Sequence, residues 1–384
     1  MALDARHEAF TAWAKLRGVV IKGVAPAKFP GKGLGVVATR NLKKGESVVS
    51  IPASALITHD SNFVRESGIA RGTVYGVVAA ALTLNHENDD RWYKPWQDVW
   101  PSREDFEESM PLCWSEEEQM MLTPAAQTLL RCQREKYERD VQTLHASIPE
   151  HLRDWYKYYW LVVNTRCFYW AFFKKARDEA RKGRKLPRDE CLALVPWGDY
   201  FNHEDHGCRV VEDVQGAAII CDRSYSKGEE VVVSYGAHSN DYLLVEYGFI
   251  LASNRHDCTT IDHLILPLLS EGQRNLLEDH HYLGEYYLSP AGLCYRTQVA
   301  IRAMVTSSKR MQSFLAGEYD GEMESKKMDK KTREIWALLR KFIEQNIARS
   351  EAAAKSTASS RMTSSRWCQL EVMLDAGESA TLGV

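Results

Sequence analysis

The sequence lacks the patterns that mark several classes of protein. Its nine cysteines are an odd number and include no C-x-x-C pair, which argues against a disulfide framework and a zinc ribbon. The longest apolar run, residues 76–84, is too short to cross a bilayer, and the N-terminus has no secretory signal pattern. The formal net charge of −3 provides no general attraction to nucleic acid or membranes. These absences predict an intracellular protein of the cytoplasm or the nucleus.

The composition is that of an ordinary globular protein, with 45% hydrophobic and 26% charged residues. A length of 384 residues predicts two domains, or one large domain with an appendage. The 11 tryptophans and 17 tyrosines suit a well-packed core and an aromatic-lined pocket.

Helical and strand-like segments alternate along the chain. Residues 5–17 have the spacing of an amphipathic helix, and residues 19–57 contain short β-rich runs between Gly and Pro. Residues 60–190 are mostly helical in pattern, strands return over residues 192–234, and helices follow after residue 255. Because neither β portion alone has enough strands for a stable sheet, we expect the two to meet in space.

Four segments carry more specific local expectations. Residues 155–173 are aromatic almost all round, which predicts a helix that is buried on most faces. The basic run 174–188 is expected to be a fraying helix end that leads into a loop, and solvated charges are favoured there over nucleic-acid binding. Residues 202–208 are predicted to form a loop. Residues 350–366, rich in Ala, Ser, Thr and Lys, are expected to be loose.

The first candidate motif is the glycine-rich stretch Gly31-Lys32-Gly33-Leu34-Gly35, which precedes a predicted strand. Glycines at such a position let the backbone pass close to a ligand. The stretch has neither the phosphate-loop pattern nor the spacing of a dinucleotide fingerprint. Taken alone, a glycine-rich turn is more often only a turn.

The second candidate motif is the pair Asn202 and His203 at the end of an apolar run. An Asn side chain and nearby backbone groups can bond the edge of a purine or an amino group. The alternative is a capping Asn and a His packed in the core. A zinc site formed by His203, His206 and Cys208 is also open, although no fourth ligand is evident.

The third candidate motif joins the triplet Gly228-Glu229-Glu230 to two Tyr-Gly pairs at Tyr235 and Tyr247. Taken alone, such pairs are typical of strand ends that pack into a core. The order of all three motifs, with the Asn-His pair following a long insertion, resembles the SET domain. More narrowly, it is similar to the branch typified by the Rubisco large-subunit methyltransferase.

Several further residues carry this resemblance between about residue 8 and residue 255. They are Phe10, Trp13, Gly18, Val19, Trp92, Pro95, Trp96, Pro101, Pro111, Trp114, Asn164, Arg166 and Phe168. The resemblance implies a mixed α/β fold, a SET β-fold of small sheets interrupted by a helical insertion at about residues 60–190, plus an all-helical C-terminal domain. It divides the chain into a SET methyltransferase domain, 1–255, and a C-terminal substrate-binding domain, 256–384.

The resemblance also implies the activity, an S-adenosylmethionine-dependent protein-lysine N-methyltransferase that acts on a non-histone protein. The protein substrate would dock at the SET channel and the C-terminal domain, and a monomer without nucleic-acid or membrane partners is expected. Two alternatives stay open: a protein-histidine methyltransferase of the same fold, and a catalytically inactive SET-like module that binds protein.

The resemblance gives each motif residue a role toward S-adenosylmethionine. Gly33, Leu34 and Gly35 would make backbone contacts with its methionine portion. Arg166 matches an arginine that pairs with the cofactor carboxylate through charge-assisted hydrogen bonds. Asp199 matches an aspartate just ahead of the Asn-His pair. No metal is expected.

The remaining roles implied by the resemblance fall on five residues. Asn202 and His203 would hold the adenine edge and the amino group, Tyr235 would help shape the pocket, and Phe249 would pack near the adenine. Tyr247 matches the catalytic tyrosine. Transfer from a sulfonium needs a neutral amine in line with the S–CH3 bond, but no metal and no covalent enzyme intermediate. A tyrosine hydroxyl that orients the amine is sufficient for this role.

Overall fold

A computed structural model of the chain describes residues 4–69, 71–318, 325–352 and 357–382. Its α-helices are, in chain order, α1 (Ala5–Leu16), α2 (Asn62–Glu66), α3 (Val74–Leu84), α4 (Lys94–Gln97), α5 (Arg103–Ser109), α6 (Glu116–Gln119), α7 (Pro124–Leu144), α8 (Arg153–Arg166), α9 (Lys174–Arg181), α10 (Asn240–Tyr247), α11 (Asp262–Ile265), α12 (Glu271–Asp279), α13 (Tyr295–Val305), α14 (Ser308–Leu315), α15 (Ser325–Ala352) and α16 (Ala358–Leu382). Its strands are β1 (Val20–Ile21), β2 (Val24–Phe29), β3 (Gly33–Ala38), β4 (Ser47–Pro52), β5 (Cys167–Tyr169), β6 (Leu192–Leu194), β7 (His203–Asp213), β8 (Gly216–Ile220), β9 (Glu230–Val231), β10 (Thr259–Thr260), β11 (Tyr287–Ser289) and β12 (Gly292–Leu293).

The chain folds into two compact units, and each is assembled from two stretches of sequence. The first unit comprises Met1–Phe106 and Gln133–Ala237, and the second comprises Glu107–Cys132 and His238–Val384. The predicted division into domains 1–255 and 256–384 assigns residues 238–255 to the first domain. That division stays a prediction about which part of the chain performs which function.

Small antiparallel sheets form the β portion of the first unit. The strand orders are β1-β4-β8-β7 and β2-β3-β9, and β5 pairs with β6. β4 pairs with β8 at Val49 and Ile219, and β3 pairs with β9 at Val36 and Val231. All four side chains are buried, so their removal from water stabilises both pairings. The expected meeting of the two β portions is confirmed.

The helical insertion is anchored by the packing of α3 against α8. Small buried side chains at residues 79–81 of α3 allow close approach, and Trp160 of α8 is fully buried. At the start of α3, the Thr73 hydroxyl accepts a hydrogen bond from the Gly76 N–H at 3.1 Å and donates to Asp140 at 2.8 Å. Asp140 also accepts from the Trp160 indole N–H at 3.0 Å, so one carboxylate links both helices.

The buried aromatic helix ends earlier than the sequence pattern predicts. α8 stops at Arg166, and Cys167–Tyr169 forms β5, which pairs with Leu192–Leu194. Pairing with a distant strand overrides the local aromatic pattern over these residues. Arg166 therefore occupies the C-terminal end of a buried helix. The basic run that follows forms α9, which ends at Arg181, and the rest of the run lies outside this helix, as predicted.

The second unit is mainly helical, which agrees with the predicted helical C-terminal domain, but it is not all-helical as expected, because it also contains the three-stranded sheet β10-β11-β12. Its core joins α13, α15 and α16, with Trp336 and Trp367 among the buried side chains. The expectation of a loose segment at residues 350–366 is wrong for residues 350–352 and 358–366, which belong to α15 and α16. Residues 353–356 lie outside the described part of the chain. The polar composition is misleading because Arg366 is buried among carboxylates.

Among the helices that the structure describes, none is both long and apolar enough to cross a membrane.

Candidate active site

The glycine-rich stretch forms the turn and the first half of a β-hairpin. β2 and β3 pair so that Gly33 lies opposite Phe29 and Gly35 lies opposite Ala27. Gly33 has a φ of +73°, a backbone conformation that residues with a Cβ rarely adopt. No atom lies within 4 Å of the position that a Cβ on Gly33 would take. The hairpin therefore exposes a stretch of backbone that a ligand can approach closely.

Gly35 brings this hairpin against the Asn-His pair. A Cβ on Gly35 would lie 2.6 Å from Nδ2 of Asn202 and 2.9 Å from Oε1 of Glu230. Real Cβ atoms do not approach other atoms so closely, so only glycine permits this contact. The first and second candidate motifs are thus neighbours in the fold.

Asn202 is held by a carboxylate that the motif-based roles did not include. Its Nδ2 donates to Oε1 of Glu230 at 2.8 Å, and Lys32 Nζ donates to Oε2 of Glu230 at 3.0 Å and to Oε1 of Glu204 at 2.6 Å. Glu230 belongs to the Gly-Glu-Glu triplet and Lys32 to the glycine-rich stretch. Both lie inside recognised motifs, but the spacing gives no signal that Glu230 pairs with Asn202 or that Lys32 pairs with Glu230.

His203 and Tyr235 form a stacked pair inside the first unit. Their ring centroids are 5.0 Å apart, and the His203 side chain is 4% exposed. Nδ1 of His203 accepts a hydrogen bond from the Tyr235 backbone N–H at 3.0 Å, which leaves the proton of the neutral ring on Nε2. The Tyr235 hydroxyl donates to the carbonyl oxygen of Phe201 at 2.7 Å. Burial raises the pKa of Tyr235 to about 12, so it is a neutral phenol at physiological pH.

The segment predicted as a loop at residues 202–208 is instead held by backbone pairing, and β7 begins at His203. The Val233 N–H donates to the carbonyl of Asn202 at 3.0 Å, and the Cys208 N–H donates to the carbonyl of Val232 at 2.8 Å. A Cβ on Gly207 would lie 2.7 Å from the Val233 backbone. These long-range contacts order a stretch whose local composition resembles a turn.

Arg166 and Asp199 form the next part of the site. Arg166 Nη1 donates to the Asp199 carbonyl at 2.9 Å and lies 3.5 Å from Oδ2 of its carboxylate. The Trp96 indole N–H donates to the same Oδ2 at 2.9 Å. The Asp199 side chain is 3% exposed and that of Arg166 is 22% exposed. Burial raises the pKa of Asp199, and the Arg166 charge opposes that shift.

Two polar atoms of this pair are buried without a hydrogen-bond partner in the structure, Nε of Arg166 and Oδ1 of Asp199. Unpaired buried donors are unfavourable unless a ligand or water completes them. Arg166 bonds the carbonyl of Asp199, and the Tyr235 hydroxyl bonds the carbonyl of Phe201 two positions further along, so one short segment that ends at the Asn-His pair joins both parts of the site.

These residues fit S-adenosylmethionine. A guanidinium with an unused donor suits the carboxylate of an amino acid, and the Asn202 amide can face an N–H group. The open backbone at Gly33 accommodates a chain that passes close by. The arrangement provides binding groups for both the amino-acid end and the nucleoside end of S-adenosylmethionine. The neutral phenol of Tyr235 lies beside these groups.

Tyr247 and Phe249 belong to the second unit. Tyr247 is the last residue of α10, and Gly248 ends the helix at a φ of +79°. The ring centroids of Tyr247 and Phe249 are 6.3 Å apart, and those of Tyr242 and Tyr247 are 6.4 Å apart. Ser239 caps the helix by accepting a hydrogen bond from the Tyr242 N–H at 3.3 Å.

The zinc alternative has no support in the part of the chain that the structure describes. No group of three His, Cys, Asp or Glu side chains there is arranged to hold a metal. His203 uses Nδ1 for the Tyr235 backbone, and the Cys208 thiol contacts the Tyr225 hydroxyl at 3.6 Å.

The chain belongs to the SET-domain family, whose match covers residues 33–236. Residues 257–373 match the family described as the ribosomal lysine N-methyltransferase 2 C-terminal domain. The predicted family is therefore confirmed, and the second match begins close to the predicted start of the C-terminal domain.

Curated relatives extend this picture. SET domain-containing protein 4 of Homo sapiens is 25% identical over 78% of this chain and 72% of its own length. Ribosomal lysine N-methyltransferase set11 of Schizosaccharomyces pombe is 34% identical over 38% of this chain and 36% of its own length. An actin-histidine N-methyltransferase of Drosophila melanogaster is 26% identical over 67% of this chain and 51% of its own length. The matches thus span between about a third and three quarters of these relatives.

The predicted fold is confirmed by a solved structure of Rubisco LSMT bound to AdoMet. It superposes with a TM-score of 0.62 at 16% sequence identity and covers 99% of this chain and 92% of that chain. At this level of identity the likeness concerns the fold.

Proposed function

We propose that this chain transfers a methyl group from S-adenosylmethionine to a lysine side chain of a non-histone protein. The observation that carries the proposal is the convergence of Gly35, Asn202, His203 and Tyr235 in one cluster, with Arg166 bonded to Asp199 three positions ahead of Asn202. The proposal agrees with the family and with the lysine methyltransferase named among the relatives.

Binding of the methyl donor falls to the first unit. The Arg166 guanidinium would hold its carboxylate, and the backbone of Gly33, Leu34 and Gly35 would lie along its methionine portion. Asn202 and His203 would hold the adenine edge and the amino group. Asp199, packed on Arg166, would orient that guanidinium for the carboxylate. When bound, the cofactor supplies a methyl group on a positively charged sulfur.

The acceptor amine must lose its proton before it can attack. A free lysine has a pKa of about 10.4, so most of it is protonated at neutral pH. A nearby positive charge and apolar surroundings both disfavour the ammonium form, so the proton leaves to water. Aromatic walls would exclude water from the lysine stem, and Phe249 would pack near the adenine.

Tyr247 is the proposed catalytic tyrosine, whose hydroxyl would orient the amine and contact the polarised methyl group. Tyr235 is a second candidate, because its ring stacks on His203 and its neutral hydroxyl bonds the Phe201 carbonyl within the candidate binding cluster. Substituting each tyrosine in turn distinguishes the two roles.

The proposal includes a division of labour along the chain. Residues 1–255 would perform the transfer, and residues 256–384 would help to dock the protein substrate. The enzyme would act as a monomer in the cytoplasm or the nucleus. Support for that compartment comes from the sequence, where nine cysteines have no disulfide-like pattern.

The test is incubation of the full chain with methyl-labelled S-adenosylmethionine and a proteome from cells that lack the protein. Labelled proteins are identified by mass spectrometry, and methyl-lysine is the expected product. A methyl-histidine product would contradict the lysine acceptor and favour the histidine alternative. Calorimetric titration with S-adenosylmethionine that shows no binding would favour the inactive binding module.

A further inference from the structure

The amide end of the Asn202 side chain faces a carboxylate. Its Nδ2 donates to Oε1 of Glu230 at 2.8 Å. The same two atoms lie next to the position that a Cβ on Gly35 would occupy. The Glu230 side chain is 13% exposed, so water competes weakly for this contact. Glu230 lies 28 positions further along the chain, at the start of β9.

An asparagine amide is nearly symmetric in shape, but one end donates and the other accepts. An ionised carboxylate only accepts, so it must face the NH2 end of the amide. Glu230 therefore decides which way the Asn202 amide points, and Oδ1 is directed away from Glu230. A ligand at Asn202 then meets a hydrogen-bond acceptor.

The carboxylate is itself held in place. Lys32 Nζ bonds the second oxygen of Glu230 at 3.0 Å and a Glu204 oxygen at 2.6 Å. Lys32 comes from the glycine-rich turn and Glu204 from the start of β7, so one ammonium joins three segments that surround Asn202. Burial of Lys32 lowers its pKa, but the hydrogen bonds to both glutamates outweigh that effect, and the net shift is upward. Lys32 is therefore charged at physiological pH.

We propose that Glu230 is a positioning residue, which fixes the Asn202 amide so that Oδ1 is presented to S-adenosylmethionine as a hydrogen-bond acceptor. This inference rests on the proposed function and adds to it a residue outside the roles implied by the motifs. Glu230 acts through Asn202 and makes no contact with the cofactor itself.

Glu230→Gln is the informative change, because it keeps the size of the side chain and removes the obligatory acceptor. The glutamine amide can turn its NH2 group toward Asn202, which allows the Asn202 amide to reverse. The measurement is the dissociation constant of S-adenosylmethionine by isothermal titration calorimetry on the full chain. The variants are Glu230→Gln, Asn202→Ala, their double mutant and Lys32→Met. A thermal melt of each variant confirms that it is folded.

We expect Glu230→Gln and Asn202→Ala each to weaken binding by about tenfold or more, the loss typical of a hydrogen bond to a charged or oriented group. The double mutant should bind about as well as Asn202→Ala alone, since Glu230 acts through Asn202. Lys32→Met leaves the Asn202 contact in place and should have a smaller effect than Glu230→Gln.

The matched control is Glu46→Gln, which removes a glutamate that pairs with Arg40 in the same unit and should leave the dissociation constant unchanged. Wild-type affinity in folded Glu230→Gln, or losses that multiply in the double mutant, would overturn the inference while the proposed function stands. Absence of binding to the wild-type chain would overturn the proposed function and the inference together.

Discussion

Arg366 donates two parallel hydrogen bonds to Asp241 in the interior of the second unit. Nε donates to Oδ1 at 2.9 Å and Nη2 donates to Oδ2 at 3.0 Å, and both side chains are 1% exposed. Nη1 of the same guanidinium bonds Oδ2 of Asp257 at 2.5 Å. Asp241 lies in the first turn of α10, and Asp257 accepts the Asn240 N–H at 2.9 Å. Arg366 of α16 thus holds the start of α10, the helix that ends at Tyr247.

Arg366→Met should destabilise the chain strongly, because it leaves two buried carboxylates without their counterion. Removing one partner of a buried ion pair typically costs about 3–5 kcal/mol. Urea denaturation followed by circular dichroism measures this free energy of unfolding. Arg361→Met, at an exposed position on the same helix, is the control and should change it by about 0.5 kcal/mol or less. Equal stability of the two variants would contradict the structural role of Arg366.

Arg166→Ala should weaken S-adenosylmethionine binding by about tenfold or more, the range of a charge-assisted hydrogen bond. The structure supports this expectation because Nε of Arg166 is buried without a partner. Calorimetric titration gives the dissociation constant. Arg209→Ala, an exposed arginine on β7, is the control for loss of one positive charge. An unaltered dissociation constant in folded Arg166→Ala would assign Arg166 a purely structural role.

Gly35→Ala should displace the hydrogen-bonded pair of Asn202 and Glu230, since the new Cβ would lie 2.6 Å from Nδ2 of Asn202. The atoms that must shift are the ends of two side chains, so the loss of stability should be at the low end for overpacking, about 1 kcal/mol, and cofactor binding should weaken with it. Thermal melts and calorimetric titration measure the two effects. Gly272→Ala in α12 adds a Cβ that meets nothing within 4 Å, so it should leave cofactor binding unchanged and should not lower stability. Normal cofactor binding by Gly35→Ala would show that the position of the Asn202 side chain does not matter for that binding.

Tyr247→Phe should keep the dissociation constant for S-adenosylmethionine and lose most of the turnover, because only the proposed orienting hydroxyl is removed. Tyr235→Phe removes the hydroxyl that bonds the Phe201 carbonyl. Steady-state methyl transfer to the identified substrate gives kcat for both variants. Tyr169→Phe, at a 41% exposed position, is the control and should behave as wild type. Full turnover in Tyr247→Phe, with loss in Tyr235→Phe, would transfer the catalytic role to Tyr235.

Alkaline stability should depend on Tyr235, because burial raises its pKa from 10.0 to about 12 in the folded chain. A raised folded pKa contributes stability that is fully present below pH 10 and is lost as the pH rises through about 12. Wild type should therefore lose about 2 kcal/mol more than Tyr235→Phe over this window. Urea denaturation at pH 9 and at about pH 12 compares them. Parallel losses in both proteins would show that Tyr235 does not titrate with a raised pKa.

The sequence predicted well those features that depend on local pattern and on the order of motifs. The two β portions meet as expected at Val49 with Ile219, because β-branched residues there favour strands and are buried together. The family was evident from the order of Gly35, Asn202 and the Tyr-Gly pairs. The amphipathic pattern also located α1.

Local pattern failed where a distant partner decides the structure. Residues 358–366 look polar and loose, but Arg366 is buried against two carboxylates and the segment becomes the start of α16. Residues 202–208 look like a turn, but Val232 and Val233 take their backbone hydrogen bonds. The helix before β5 ends at Arg166 because the next residues pair with a strand about 25 positions away.

By itself the sequence determined the two β portions, since composition and spacing report on burial and backbone preference. Its resemblance to the SET domain gave the class of fold and a predicted set of residues for a methyl-donor site. Only the tertiary structure decided that Glu230 bonds both Asn202 and Lys32, that Asp199 packs on Arg166, and that His203 stacks on Tyr235. The physical reason is that a polar side chain takes its partner from whichever segment packs beside it. That choice depends on contacts between residues far apart in the chain.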